Sequence, residues 1–154
     1  MALNSLAIAT GISNLVVTGV TIKDITGIPD QVNGARDCPL MFPHPTEWMQ
    51  GGNGEPSTGP ATFGTAAGRS WIFDRVYQYV YLHAPVGAGR GIVDQYAGMS
   101  AKADAIQTAL TQLDLAQVDV NNVSVGSFGV LQDPAGASFY GFILSVTLRE
   151  WINA

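Results

Sequence analysis

The sequence predicts an α+β fold: a single-layer, mostly antiparallel β-sheet with helices packed on one face. Three stretches predict it. Ile92 to Leu113 has the spacing of a helix with one buried side, Arg69 to His83 alternates as a long strand, and Phe139 to Trp151 alternates again as the chain closes. The 154 residues are expected to form one domain, because a chain of this length can bury a sizeable core.

From the N-terminus, Leu3 to Val17 can form a short helix, with Leu3, Leu6, Ala7 and Leu15 near one side. Its end is blurred by Thr10, Gly11 and the β-branched pair Val16–Val17. Val20 to Ile25 is short and β-branched, a strand by composition, and Gly27-Ile28-Pro29-Asp30 is turn chemistry. Asp37 to Pro45 carries Pro39, Pro43 and Pro45 around an apolar patch. Proline removes ladder donors, so an extended edge or irregular segment is expected there rather than a central strand.

Gln50 to Arg69 is rich in Gly, Pro, Ser and Thr and reads as one long loop at 50–69, with Trp48, Met49 and Phe63 as isolated apolar anchors. In the strand that follows, Trp71, Phe73, Tyr77, Tyr79 and Tyr81 share one face, and Ile72, Val76, Val80 and Leu82 the other. Arg75 interrupts the first face; Asp74 and Gln78 interrupt the second. Two largely apolar faces imply helices over one and another cover over the other.

Pro85 to Gly91 is a glycine-rich connection into the main helix. In that helix Ile92, Tyr96, Met99, Ala103, Ile106, Leu110 and Leu113 follow alternating steps of four and three. Its one weak interior residue is Gly98, which costs about 1 kcal/mol relative to alanine. After a short link, Val118 to Val130 reads as a strand, broken at Asn121–Asn122 and loosened by Gly126 and Gly129, where a bulge is expected. Asp133-Pro134-Ala135-Gly136 is a turn. In the last strand Tyr140, Phe142, Leu144, Val146 and Leu148 alternate against Gly141, Ser145, Thr147 and Arg149, and the last two strands should pair as an antiparallel hairpin.

Apolar residues make up 47% of the chain and charged residues 12%, about half the usual quarter. Few charges on so apolar a chain suit a surface hidden in an assembly. No apolar run reaches the roughly 18 residues that span a bilayer. The apolar N-terminus lacks a basic region and is broken by Asn4, Ser13 and Asn14, so no signal peptide and no membrane partner are expected. The lone Cys38 excludes an internal disulfide framework and fits a reducing compartment. A formal net charge of −5 opposes tight wrapping of nucleic acid and suits a surface past which a polyanion slides.

The chemistry-bearing residues are sparse. His44, His83 and Cys38 cannot supply the four ligands of a structural zinc site, and no metal or other cofactor is expected. Val125-Gly126-Ser127-Phe128-Gly129 has its glycines in the wrong places for a nucleophile elbow. Gly87-Ala88-Gly89-Arg90-Gly91 lies between strand and helix, where backbone amides can cradle phosphate. The dinucleotide fingerprint needs its third glycine where Ile92 stands, and the phosphate-loop Gly-Lys-Ser/Thr is absent, so a flexible connection is favoured. No catalytic residue is assigned. The large side chains Trp48, Met49, Phe63, Trp71 and Phe73 are expected at contacts between subunits. Tyr77, Tyr79, Phe139 and Trp151 are expected there too.

The order of parts resembles the tail terminator and minor tail proteins of long-tailed bacteriophages, with their neck-protein relatives. The shared features are the N-terminal helix with the strand at Val20–Ile25, and the proline-flanked Cys38-Pro39-Leu40-Met41-Phe42-Pro43. The aromatic strand Trp71–Leu82 leading to the helix Tyr96–Leu113, and the closing hairpin with Tyr140-Gly141-Phe142, complete them. The resemblance is one of order and texture over most of the chain, and the glycine-rich stretch takes the place of a hairpin seen in many relatives. It implies a tail-terminator-like fold and a structural, non-enzymatic virion subunit: a homo-hexameric ring that caps the tail tube and joins it to the head–tail connector. Its partners would be itself, the tail tube protein, the connector and neck proteins, and DNA passing through the lumen without specific binding. It would be assembled in the host cytoplasm and reside in the tail or neck. The alternatives are another neck, tail tube or head-closure role, or a small phosphate-ligand enzyme using Gly87–Gly91.

Overall fold

The computed structural model of the protein describes residues 3–56, 70–87 and 91–153. The helices are α1 (Ser5–Ser13), α2 (Gly34–Asp37) and α3 (Ile92–Leu110). The strands are β1 (Thr21–Ile22), β2 (Leu40–Pro43), β3 (Met49–Pro56), β4 (Ser70–Pro85), β5 (Val118–Gln132) and β6 (Ser138–Asn153). They form one mixed sheet in the order β1-β2-β4-β6-β5, with β3 also paired to β4. Only β1 and β2 run parallel. This is the expected α+β architecture with a mostly antiparallel sheet.

The sheet is built on β4 and β6, whose pairing runs from Ser70–Asn153 to Pro85–Phe139. Alternation then decides which side chains face the helices. Tyr77, Tyr79 and Tyr81 of β4 join Phe142, Leu144, Val146 and Leu148 of β6 beneath α1 and α3. From above, Ile8 and Ile12 of α1 and Met99, Ala103, Ile106 and Leu110 of α3 close this core. The α3 positions are four of those picked out by the three-four spacing; Ile92 and Tyr96, which begin that series, are exposed.

A second cluster lies on the opposite face, where Val80 and Leu82 meet Leu40, Phe42, Val32 and Phe139. Its cover is the segment between β1 and β2, through Ile28 and Cys38. Buried Asp133, in the β5–β6 turn, ties that cover down: its carboxylate accepts from Val32 N at 2.9 Å and from Ala137 N at 2.7 Å.

Four expectations are corrected. In α1 the buried residues are Ile8, Ala9 and Ile12, while Leu6 is exposed. The helix is apolar on several sides, so its pattern does not select a face. The strand expected over Val20–Ile25 shrinks to Thr21–Ile22, because the Asp24 side chain accepts from Gly27 N at 3.1 Å and caps a 3₁₀ turn at Ile25–Gly27. The proline-flanked segment contains β2, which has neighbours on both sides. Pairing survives there because Thr21 N and Lys23 N donate to the carbonyls of Pro39 and Met41, so no proline N–H is needed. The loop expected at 50–69 is, up to Pro56, strand β3. A bulge between Gly51 and Gly54 lets it pair, with Gly51 at φ 82° and Gly52 at φ 110°, where glycine is unstrained. Residues 57–69 lie outside the described residues.

The bulges expected in β5 occur, between Val120 and Asn122 and between Gly126 and Gly129. A further register shift, between Leu82 and Ala84 in the β4–β6 pairing, leaves His83 as an extra residue.

Candidate self-association surface

Strand β5 forms one end of the sheet. It is 15 residues long, and among the described residues no strand pairs with its outer side. Such an edge presents unpaired backbone donors and acceptors to any neighbouring chain. The other end of the sheet is different: β1 has two residues, and β3 is bulged and carries Glu55 and Pro56. Short length, charge and proline all blunt an edge.

One corner of β5 is apolar. Val130 is 56% exposed, and the first turns of α3 expose Ile92, Val93 (82%) and Tyr96 (50%). Of these, Tyr96 connects to the core through a run of rings. Tyr96 packs on Phe128 with ring centroids 5.5 Å apart, Phe128 stacks on Phe142 at 5.0 Å, and Phe142 stacks on Tyr81 at 4.4 Å. The rings therefore run from the centre of the core out to the surface. Trp71, 40% exposed, sits at the opposite end of β4.

The half of the outer sheet face left open by the β1–β2 segment alternates polar rows with the half-buried Ile72 and Val76. Register brings Gln78, Ser145 and Ser124 into one row, and Asp74, Arg149 and Asp119 into another. Arg149 bonds Asp74 at 3.0 Å, and its pKa is raised by that hydrogen bond and charge and further by Asp119. This cation is thus neutralised by carboxylates on both neighbouring strands.

On the helix face, Arg75 and Glu150 form a buried pair. Arg75 Nε and Nη2 donate to the Glu150 oxygens at 2.7 and 2.5 Å, and the Tyr77 hydroxyl donates to Glu150 at 2.9 Å. The hydrogen bond to Glu150 holds the guanidinium in its charged form, and burial holds the Tyr77 phenol neutral. Beside Glu150 lies a cleft of about 430 Å³ between Leu3, Ala7 and Ile8 on one side and Leu115, Val118 and Trp151 on the other. The carboxylate at its floor has its charge already answered, so the arrangement supplies packing and no free acid or base.

The residues predicted for subunit contacts divide. Met49 and Trp71 are exposed; Trp48, Phe73 and Trp151 are half-buried. Tyr77, Tyr79 and Phe139 are fully enclosed by the chain's own core and cannot contact a neighbour. Their period-two pattern marks burial without distinguishing a core from an interface. Phe63 lies outside the described residues, as do residues 88–90 of the glycine-rich connection. Ile92 and Tyr96 were missed as exposed residues because they open the three-four series expected to be core; Val93 and Val130 carry no periodic signal that sets them apart.

No group of three or more His, Cys, Asp or Glu residues placed to hold a metal occurs among the described residues. The Cys38 thiol is pushed up to about 11, by burial first and by Asp37 second, which leaves it a poor nucleophile at neutral pH. The His44 ring accepts from the backbone of Thr46 and Glu47, a local turn. Compared with models of known families and with curated proteins, the chain matches none.

Proposed function

We propose that this protein is a structural, non-enzymatic subunit of a tailed bacteriophage, acting as a tail terminator whose copies close into a ring. In this reading six copies cap the tail tube and join it to the head–tail connector in the virion, after assembly in the host cytoplasm. The observation that carries the assembly reading is the unpaired β5 edge with the exposed apolar corner of Ile92, Val93, Tyr96 and Val130. Apolar surface beside open backbone groups favours contact with another chain. In a ring the β5 edge and the apolar corner would meet a different surface of the next copy, a head-to-tail contact; such contacts close into rings or run on as filaments.

The polar rows of the outer face support the role of a passage for DNA. Their Ser, Thr, Asn and Gln side chains offer weak contacts, and Arg149 is clamped between carboxylates. With a net charge of −5, the chain has little with which to hold phosphates.

The test is the mass and symmetry of the purified protein by sedimentation and negative-stain imaging. A closed ring is expected, and Val93→Asp with Val130→Asp should release monomers with an unchanged circular dichroism spectrum. Open-ended tubes would favour a tail tube role instead. A wild-type monomer at high concentration would overturn the assembly reading.

A further inference from the structure

Helix α3 begins without firm anchorage. Its N-cap, Gly91, makes no side-chain cap, and the first fully buried residue along it is Met99. One place where its first half meets the sheet is Gly98 over His83. His83 continues the helix-facing side of Tyr77, Tyr79 and Tyr81, and a Cβ on Gly98 would lie 2.9 Å from His83 Nε2. The other ring nitrogen, Nδ1, shares a hydrogen bond of 2.7 Å with the Tyr81 hydroxyl.

This arrangement suits a neutral imidazole. Neutral His83 can accept the Tyr81 proton at Nδ1; the charged ring must instead donate to the Tyr81 oxygen, which takes that bond away from the proton of a fully buried hydroxyl. The charge facing it is also of the wrong sign. Lys102, one turn beyond Gly98 on α3, is fixed by donating to the Thr18 carbonyl at 2.7 Å. Asp94, one turn before Gly98, is exposed and makes no ion pair among the described residues. Tyr81 on the same strand is a phenol that burial holds neutral, and Tyr140 lies across from Ala84 on β6.

We propose that His83 is an acid-sensitive latch: protonating it releases the first half of α3 from the sheet. Burial first, and the Lys102 charge second, hold His83 below the ordinary histidine value of 6.5. The unfolded chain therefore binds this proton more readily than the folded one. Docking is strongest above the unfolded histidine pKa and weakens as pH falls through the window between the unfolded and folded values. The latch acts within one chain, so its pH-dependent loss of protection should persist in the Val93→Asp, Val130→Asp variant, where no ring contact covers the start of α3.

Hydrogen exchange read by mass spectrometry at about pH 7.5 and about pH 5, corrected for intrinsic rates, tests this. Residues 92–103 should lose protection at the lower pH, with residues 142–148 unchanged. His83→Gln should remove the difference, and His44→Gln should leave it intact. In the wild type, the NMR titration of the His83 ring should share its midpoint with the α3 amides. Unchanged α3 protection, an equal loss in His83→Gln, or separate NMR midpoints would each overturn the proposal.

Discussion

Arg75 interrupts an aromatic strand face in the sequence, and the fold places it against Glu150 in the interior. Both residues fall on the inward parity of their strands, Arg75 with Tyr77 and Glu150 with Leu148, so the alternation held a signal that two buried positions carried opposite charges. What it could not show is that register brings them together, because that depends on how β4 and β6 align. Removing one partner leaves the other charge buried, at a cost of about 3–5 kcal/mol. Glu150→Ala should therefore lower unfolding stability by that amount in urea titration. Tyr79 gives the opposite expectation. Its hydroxyl is buried with no hydrogen-bond partner among the described residues, so Tyr79→Phe removes an unsatisfied group. Stability should stay within about 1 kcal/mol of wild type or rise.

Helix α3 was legible because its apolar spacing is long and regular. The short elements were not: α1 is apolar on several sides, and β3 is written in glycines that read as loop until β4 supplies a partner. Gly98 shows how an element and its support are matched. Alanine there gains about 1 kcal/mol of helix propensity but puts a methyl against the His83 ring. Gly98→Ala should lower the melting temperature in the wild type and raise it in a His83→Ala background. Such a sign reversal, read in a double-mutant cycle, would show that the approach to His83 and not backbone freedom sets the preference for glycine. Gly141 is a firmer case, since a Cβ there would run into the Tyr81 carbonyl oxygen of the adjacent strand.

At the scale of the molecule, low charge and abundant apolar surface pointed to assembly before any surface was identified. The structure encloses Tyr77, Tyr79 and Phe139 in the core, and the proposed contact is the β5 edge with the start of α3. An apolar contact of this kind should respond little to salt, since screening acts on charges. The proposed ring should keep its mass from about 0.1 M to about 1 M sodium chloride in sedimentation. Dissociation on adding salt would locate the contact in the ion pairs of the outer face instead.

The sequence by itself determined the α+β class, the main helix, the two long strands, the closing hairpin and the bulges in β5. These are properties of local periodicity and of glycine and proline chemistry, which act over a few residues. Only the tertiary structure decided which apolar residues are enclosed, that Arg75 meets Glu150, that β3 is a strand, and which edge remains open. Those outcomes depend on strand order and register across separations of up to 101 residues, as between Val32 and Asp133, and no local pattern encodes them.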